Sequence, residues 1–324
     1  MRVFVAGASG AVGRRLVPML VARDYQVIGT TTSDRNVATI RALGAEPVVV
    51  DGLDAAGIGE AIARSEPDAI IHQMTALSSS PDFKHFDRWF ALTNRLRTEG
   101  TENLLAAAKA SGVQRFVAQS FTGWSNERTG DWIKTEDDPL DPDPVAEQRE
   151  TLAAIRFLER AVTEAPLDGI VVRYGGLYGP GSSEKLVEIL RKRMFPVIGN
   201  GAGIVSSTHV DDAAGGTLAA LEHGRRGEVY NIVDDEPAPT HEFIPAIAEA
   251  LGAPKPLRIP PWLGRLFAGD VAVAMMTEGR GSSNAKARRE LGWQPIWPSW
   301  RDGFRHGLDT PVPLPPGAKE ATAA

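Results

Sequence analysis

The chain contains no cysteine among its 324 residues. That excludes disulfides, thiol nucleophiles and thiolate metal sites. No other cluster has convincing metal-ligand spacing, so no metal is expected. Positive charge is in deficit. Lys plus Arg number 35 against 41 Asp plus Glu, a formal charge of −6. A mildly acidic chain is a poor general binder of nucleic acid. No run of 18 apolar residues occurs, so no membrane span is expected. The strand-like start, "MRVFVAGASG", leaves no room for a leader, and a cytoplasmic location is expected. Tyrosine is scarce: Tyr25, Tyr174, Tyr178 and Tyr230 are the four. None of them has a lysine four residues on.

What is present is a rhythm. "RVFVAG", "YQVIGTT", "AEPVVVDG", "DAIIHQM" and "QRFVAQS" are short apolar runs separated by helical stretches. Continuous apolar strands mark a parallel sheet buried on both faces. The alternation predicts an α/β fold, a Rossmann-like doubly wound parallel sheet. After "GIVVRYGGLYGPG" the alternation weakens and Gly and Pro become dense. Residues 1–175 and 207–235 are therefore expected to form a dinucleotide-binding domain. Residues 176–206 and 236–311 are expected to form a smaller, mainly helical substrate domain. The end, 312–324, reads as a disordered tail.

"VFVAGASGAVGRRL" places Gly7, Gly10 and Gly13 between the first strand and helix. Gly7 permits a tight turn, Gly10 lets backbone approach a pyrophosphate, and Gly13 lets the helix pack on the strand. Ser9, Ala11 and Val12 belong to the same predicted cradle. The second strand runs into "TTTSDRN", with Thr31 where an NAD site usually carries an acid. Thr32, Ser33 and Arg35 can donate to a 2′-phosphate, which favours NADP(H) over NAD(H). Asp34 is the one residue there that argues the other way.

Several stretches together resemble the extended short-chain dehydrogenase/reductase family, which includes epimerases, dehydratases and reductases. They are "AGASGAVG", "VVVDGLD", "IIHQMTA", "GTENLLAAAKASGVQRFVAQS", "VVRYGGLYGPG", "HVDDAA", "VYNIV" and "NAKARRELGWQP". They follow the family's order across nearly the whole chain. The resemblance implies that Asp51, Gly52 and Leu53 flank the adenine. It places Met74, Thr75 and Ala76 beside the pyrophosphate and ribose, and Tyr174 among the cofactor contacts. It makes Ser120 the hydroxyl that holds a substrate oxygen. His72 and His209 match family positions and read as structural, with Asp211 and Asp212 as helix caps. A homodimer through the two central helices is a further implication.

The chain departs from the family at its catalytic pair. Tyr-x-x-x-Lys puts both side chains on one helix face, where the Lys charge lowers the phenol pKa. In "ETLAAIRFLER" those positions are Thr151 and Ile155. Thr151 is expected to orient a substrate oxygen without acting as an acid. Lys134, Glu147 and Arg149 are nearby candidates for moving a proton. Arg97 stands where the family often has Asn. Ile204 and Val205 stand where nucleotide-sugar members usually carry an Arg. Trp262, Leu263, Leu266, Phe267, Met275 and Met276 are candidates for an apolar pocket wall.

Three functions follow. The first is an NADP(H)-dependent reductase acting on a carbonyl or activated double bond of a small, largely apolar substrate. The second is a catalytically inactive NAD(P)-binding redox sensor. The third is a sugar epimerase or dehydratase.

Overall fold

The computed structural model describes residues 1–77 and 81–312. The Val- and Ile-rich runs form strands β1 (Arg2–Ala6), β2 (Gln26–Thr31), β3 (Glu46–Val49), β4 (Ala69–His72) and β5 (Arg115–Phe121). Between them lie α1 (Ala11–Val21), α2 (Val37–Ala42), α3 (Ala55–Ser65), α4 (Phe86–Arg95) and α5 (Thr101–Ala110). Helix α6 (Arg149–Thr163) leads to β6 (Asp168–Tyr174). Helices α7 (Glu184–Arg191) and α8 (Val210–His223) precede β7 (Val229–Ile232). The seven strands make one sheet in the order β7-β6-β5-β4-β1-β2-β3, and every neighbouring pair is parallel. This is the doubly wound sheet expected from the alternation.

Successive residues of each strand face opposite layers. Val3, Val5, Ile71, Val117 and Val172 pack with α1 and α8. Phe4, Ile70, Phe116, Ala118 and Val171 pack with α3, α5 and α6. Full burial on both faces explains why these strands read as unbroken apolar runs.

A separate core lies beyond the carboxyl ends of the strands. It joins Tyr178, Leu190, Ile198, Phe243, Ile244 and Phe304. Its helices are α7, α9 (Thr240–Ala250), α10 (Pro261–Glu278, interrupted at Gly269) and α12 (Trp300–His306). Helix α11 (Ala285–Leu291) differs from the expected division. Its Ala287 and Leu291, with Trp293, join the core of α1 and α8. An apolar face three and four residues apart fits the α8 side of the sheet, so this part of 236–311 packs with the nucleotide-binding layer. Residues 313–324 of the expected tail lie outside the described residues. Among the described residues, no helix is long and apolar enough to cross a membrane.

Two polar devices fix the layers. Asp87 of α4 accepts from the backbone N–H groups of Glu150 (3.1 Å) and Thr151 (2.8 Å). A carboxylate at a helix N-terminus satisfies orphan donors and meets the positive end of the dipole. Asp212 accepts from the N–H groups of Ile296 (2.5 Å) and Trp297 (3.0 Å), tying the C-terminal segment to α8. The expected cap role thus belongs elsewhere. His209 caps α8 by accepting from Asp211 N–H, and Asp211 pairs with the buried Arg15 at 3.0 Å.

Asp87→Ala should destabilise the protein by about 1–2 kcal/mol, the usual cost of losing an N-terminal cap. Urea unfolding measures it. A second expectation concerns pH. Burial pushes the Asp212 carboxyl up to about 7 and the Asp234 carboxyl up to about 8. Both hold protons in the folded chain that the unfolded chain releases above the ordinary carboxylate range. Their stabilising effect is complete below about pH 4, declines as pH rises towards 8, and then levels off. Melting midpoints should therefore fall from about pH 5 to about pH 8, and Asp234→Asn should flatten that slope.

Candidate cofactor and substrate site

The crevice over the carboxyl ends of β1 and β4 is the topological switch point, where strand order reverses. Ligands of open α/β sheets bind at such crevices. Gly7 leaves β1 with φ +94°, and a Cβ there would lie 2.8 Å from the Gln73 backbone. At Gly13 a Cβ would lie 2.4 Å from the Gly7 carbonyl oxygen. Gly10 precedes α1 with no side-chain cap, which leaves the N–H groups at Ala11 and Val12 open. A glycine cradle at an uncapped helix N-terminus fits a pyrophosphate. The loop is braced by Gly7 N–H donating to Thr30 Oγ1 (3.0 Å) and Ser9 Oγ donating to Thr31 Oγ1 (3.3 Å).

Thr31 is buried, and Asn36 Nδ2 also donates to its hydroxyl, at 3.1 Å. Thr32, Asp34 and Arg35 are exposed at the rim. Ser33 Oγ accepts from Arg35 N–H at 3.3 Å, which sets the turn. Arg14 escaped the sequence reading. It is exposed, and its Nε donates to Ser9 O at 2.8 Å, so a second guanidinium stands beside the glycine loop. The doubled "RR" after Gly13 was the available signal.

Thr32 and Asp51 face a common crevice of about 380 Å³. Asp51 Oδ1 accepts from Leu53 N–H at 3.0 Å. Gly52 packs under Met74, where a Cβ would lie 2.3 Å from Sδ and shift the end of that side chain. Met74 is buried, Thr75 is exposed, and Ala76 N–H donates to Thr93 Oγ1 at 3.0 Å. His72 is fully buried, and burial pulls its pKa down to about 4. Its ring nitrogens bond Leu96 O (3.2 Å) and Met74 N–H (3.2 Å), so it is a neutral strut.

Three expected site residues sit differently. Tyr174 is buried in the core, and its hydroxyl bonds Gln73 Nε2 (2.8 Å) and Thr217. Burial pushes that phenol up to about 12. Its side chain is therefore spent inside the fold rather than on a cofactor. Ser120 Oγ donates to Glu159 Oε1 at 2.7 Å. Thr151 is fully buried and its Oγ donates to Asp87 Oδ1 at 2.6 Å. A hydroxyl has one proton to donate, and in this structure both are given to carboxylates. The cause for Ser120 is register. Its side chain shares a sheet face with Phe116 and Ala118, and that face is covered by α6.

The residues after Ser120 do reach open space. Phe121, Thr122, Gly123 and Trp124 border an apolar cavity of about 180 Å³. Phe83, Phe195, Phe243, Met275 and Met276 complete much of its wall. Trp124 stacks on Phe121, with centroids 5.4 Å apart. The two methionines were expected here. Trp262, Leu266 and Phe267 point instead to solvent, at 65%, 58% and 72% exposure. Ile204 and Val205 line the cavity where the resemblance would have an arginine. Its polar groups are already engaged. Thr122 Oγ1 lies 2.6 Å from Ser282 Oγ, and Thr240 Oγ1 donates to Gly203 O at 2.7 Å. Lys134, Glu147 and Arg149 do not line it. Lys134 is buried instead, donating to Thr129 O at 2.7 Å.

The profile of the NAD dependent epimerase/dehydratase family matches residues 3–233. A 3-diazoavenalumate denitrifying reductase from a Streptomyces species is 40% identical over 94% of this chain and 99% of its own. A 4-hydroxy-2-methyl-3-oxo-4-farnesyl-3,4-dihydroquinoline-1-oxide ketoreductase from Stigmatella aurantiaca is 29% identical over 78% and 74%. The crystal structure of Thermus thermophilus UDP-glucose 4-epimerase with NAD is 25% identical. It superposes with a TM-score of 0.72 over 95% of this chain and 98% of that one. The chain belongs to the NAD-dependent epimerase/dehydratase family, within the extended short-chain dehydrogenases/reductases, as an NAD(P)-dependent oxidoreductase.

Proposed function

We propose that this protein is an NADPH-dependent reductase of a small, flat, largely apolar substrate, and that its reaction takes no proton from a side chain. The observation that carries the reading is the aromatic cavity beside β5. It is bordered by Phe121, Trp124 and Phe243, and among the described residues its lining has no carboxyl, amine or imidazole. A dry apolar cavity of about 150 Å³ accepts a benzene-sized ring, and this one holds about 180 Å³. Its rings orient a flat substrate and exclude water.

Bound at the switch point, NADPH supplies the hydride. Gly7, Ser9, Gly10, Ala11, Val12 and Gly13 hold the pyrophosphate. Asp51, Gly52 and Leu53 border the adenine, and Met74, Thr75 and Ala76 the adjoining ribose. Thr32, Ser33, Arg35 and Arg14 receive the 2′-phosphate, where positive charge and hydroxyl donors meet with no carboxylate at Thr31.

The acceptor that best fits a site without an acid is one that needs hydride alone. An arenediazonium is the simplest case. Hydride bonds to the ring carbon, the C–N bond breaks, and dinitrogen leaves with the bonding pair. No proton enters the balance. The 40% identical relative, named a denitrifying reductase of a diazo compound, supports this choice. An aldehyde or enone would take its proton from water.

The test uses 4-hydroxybenzenediazonium and NADPH deuterated at the transferable position, with a protein-free control. Phenol carrying deuterium on the ring, formed faster than in the control, is expected. No enzyme-dependent oxidation of NADPH with the diazonium, an aldehyde panel or an enone panel would overturn the reading. Ala272→Phe fills the cavity from α10. It should lower kcat/KM by about 100-fold, equivalent to about 3 kcal/mol, with NADPH binding unchanged. Arg14→Ala and Arg35→Ala together should weaken NADPH by about tenfold or more and leave NADH nearly unaffected.

A further inference from the structure

Between α4 and α5 the helix widens into a π-turn over Leu96–Gly100. Such a turn inserts one residue and turns a side chain inward, often at a functional site. Here the residue is Arg97. It is 6% exposed, and its guanidinium lies 5.5 Å from the centre of the Phe90 ring. Among the described residues it has no ion-pair partner, and its Nη1 has no hydrogen-bond partner. Glu159 attracts it through space, but that carboxylate is already engaged. Glu159 accepts from Arg173 Nε and Nη2, both at 2.7 Å, and from Ser120 Oγ. Burial lowers the Arg97 pKa only to about 10, so the side chain stays cationic at neutral pH.

A buried cation with an unmet donor is costly unless something meets it. Its place in the fold says what. The π-turn packs on α6 and joins β4 through His72 and Leu96 O, so Arg97 sits near the carboxyl ends of β4 and β5. The glycine loop and Arg35 lie on the other side of the switch point, with β1 and β2. A dinucleotide spans that crevice, its adenosine half over β1–β3 and its other half over β4 and β5. Helix α6 offers no charge to that second half from Ile155, which is apolar and fully buried.

We infer that Arg97 is a cofactor-binding residue that holds the nicotinamide-ribose half of NADP(H), its guanidinium donating to a ribose hydroxyl oxygen. This rests on the proposed cofactor site. The positive charge that α6 lacks is thereby supplied from the neighbouring α4–α5 turn.

Calorimetric titration of the full-length protein tests it with two ligands, NADPH and 2′,5′-ADP, which lacks the nicotinamide ribose. Arg97→Met should bind NADPH between about 10-fold and 100-fold more weakly, the range of one hydrogen bond from a charged donor. It should bind 2′,5′-ADP as the wild type does, and Arg97→Lys should recover part of the lost NADPH affinity. The melting midpoint of Arg97→Met should be equal or higher, because an apolar side chain of similar size relieves a buried unpaired charge. Unchanged NADPH affinity in Arg97→Met would overturn the assignment. Equal loss of both ligands, or a lowered midpoint, would make Arg97 a structural residue and overturn it too. Failure of the wild type to bind either ligand would instead sink the proposed cofactor site itself.

Discussion

The Glu159 carboxylate fixes the centre of the molecule. It projects from α6 and takes three hydrogen bonds from two strands, two from Arg173 of β6 and one from Ser120 of β5. The bidentate guanidinium geometry specifies both distance and plane. Removing one partner of such a buried pair leaves an uncompensated charge and costs about 3–5 kcal/mol. The position of α6 over β5 and β6 is therefore set by polar chemistry as well as by Leu158 and Val162 packing below it. Much follows from that anchor. Ser120 is spoken for, Asp87 can reach the first turn of α6, and Ile155 is fully buried.

The same anchor separates what the sequence made legible from what it did not. The sheet was readable because both of its faces are buried, so each strand is an apolar run with turn residues on either side. The glycine loop was readable because Gly7 and Gly13 have backbone pressed against them that tolerates no Cβ. The partner of Ser120 was hidden for a physical reason. Alternation along a strand tells which residues share a face, but not whether that face opens on a cleft or is roofed by a helix. The Ser120–Glu159 hydrogen bond, between residues 39 apart in sequence, shows that β5 is roofed at Ser120. The partner of Thr151 was hidden in the same way, since Asp87 is 64 residues away. Arg14 was missed because a basic residue in an exposed first turn looks the same whether it binds phosphate or water.

The α11 segment shows a different limit. Its "AKARREL" pattern predicts an amphipathic helix well enough, but an apolar stripe carries no address. Two cores were available, one above the strand ends and one beside α8. Ala287 and Leu291 went to the second. Chain order suggested a clean division at residue 236, and packing overrode it.

The lost phenol and lysine fit the chemistry of their surroundings. A titrating Tyr–Lys pair serves a reaction in which oxygen gains or loses a proton. It also needs polar neighbours, because an unpaired ammonium against apolar rings is strongly disfavoured. Around the cavity this chain presents Phe83, Phe121, Trp124, Phe195, Phe243 and two methionines. Such a wall strengthens every electrostatic interaction at its edge by excluding water, and it offers no stabilisation to a charge generated within. A cationic substrate costs desolvation on entry, which the aromatic faces partly offset, and it leaves neutral, whereas an alkoxide would be generated where nothing stabilises it. On the proposed reading, the apolar wall and the missing Tyr–Lys pair both suit hydride acceptors whose charge is cancelled rather than created in the transfer.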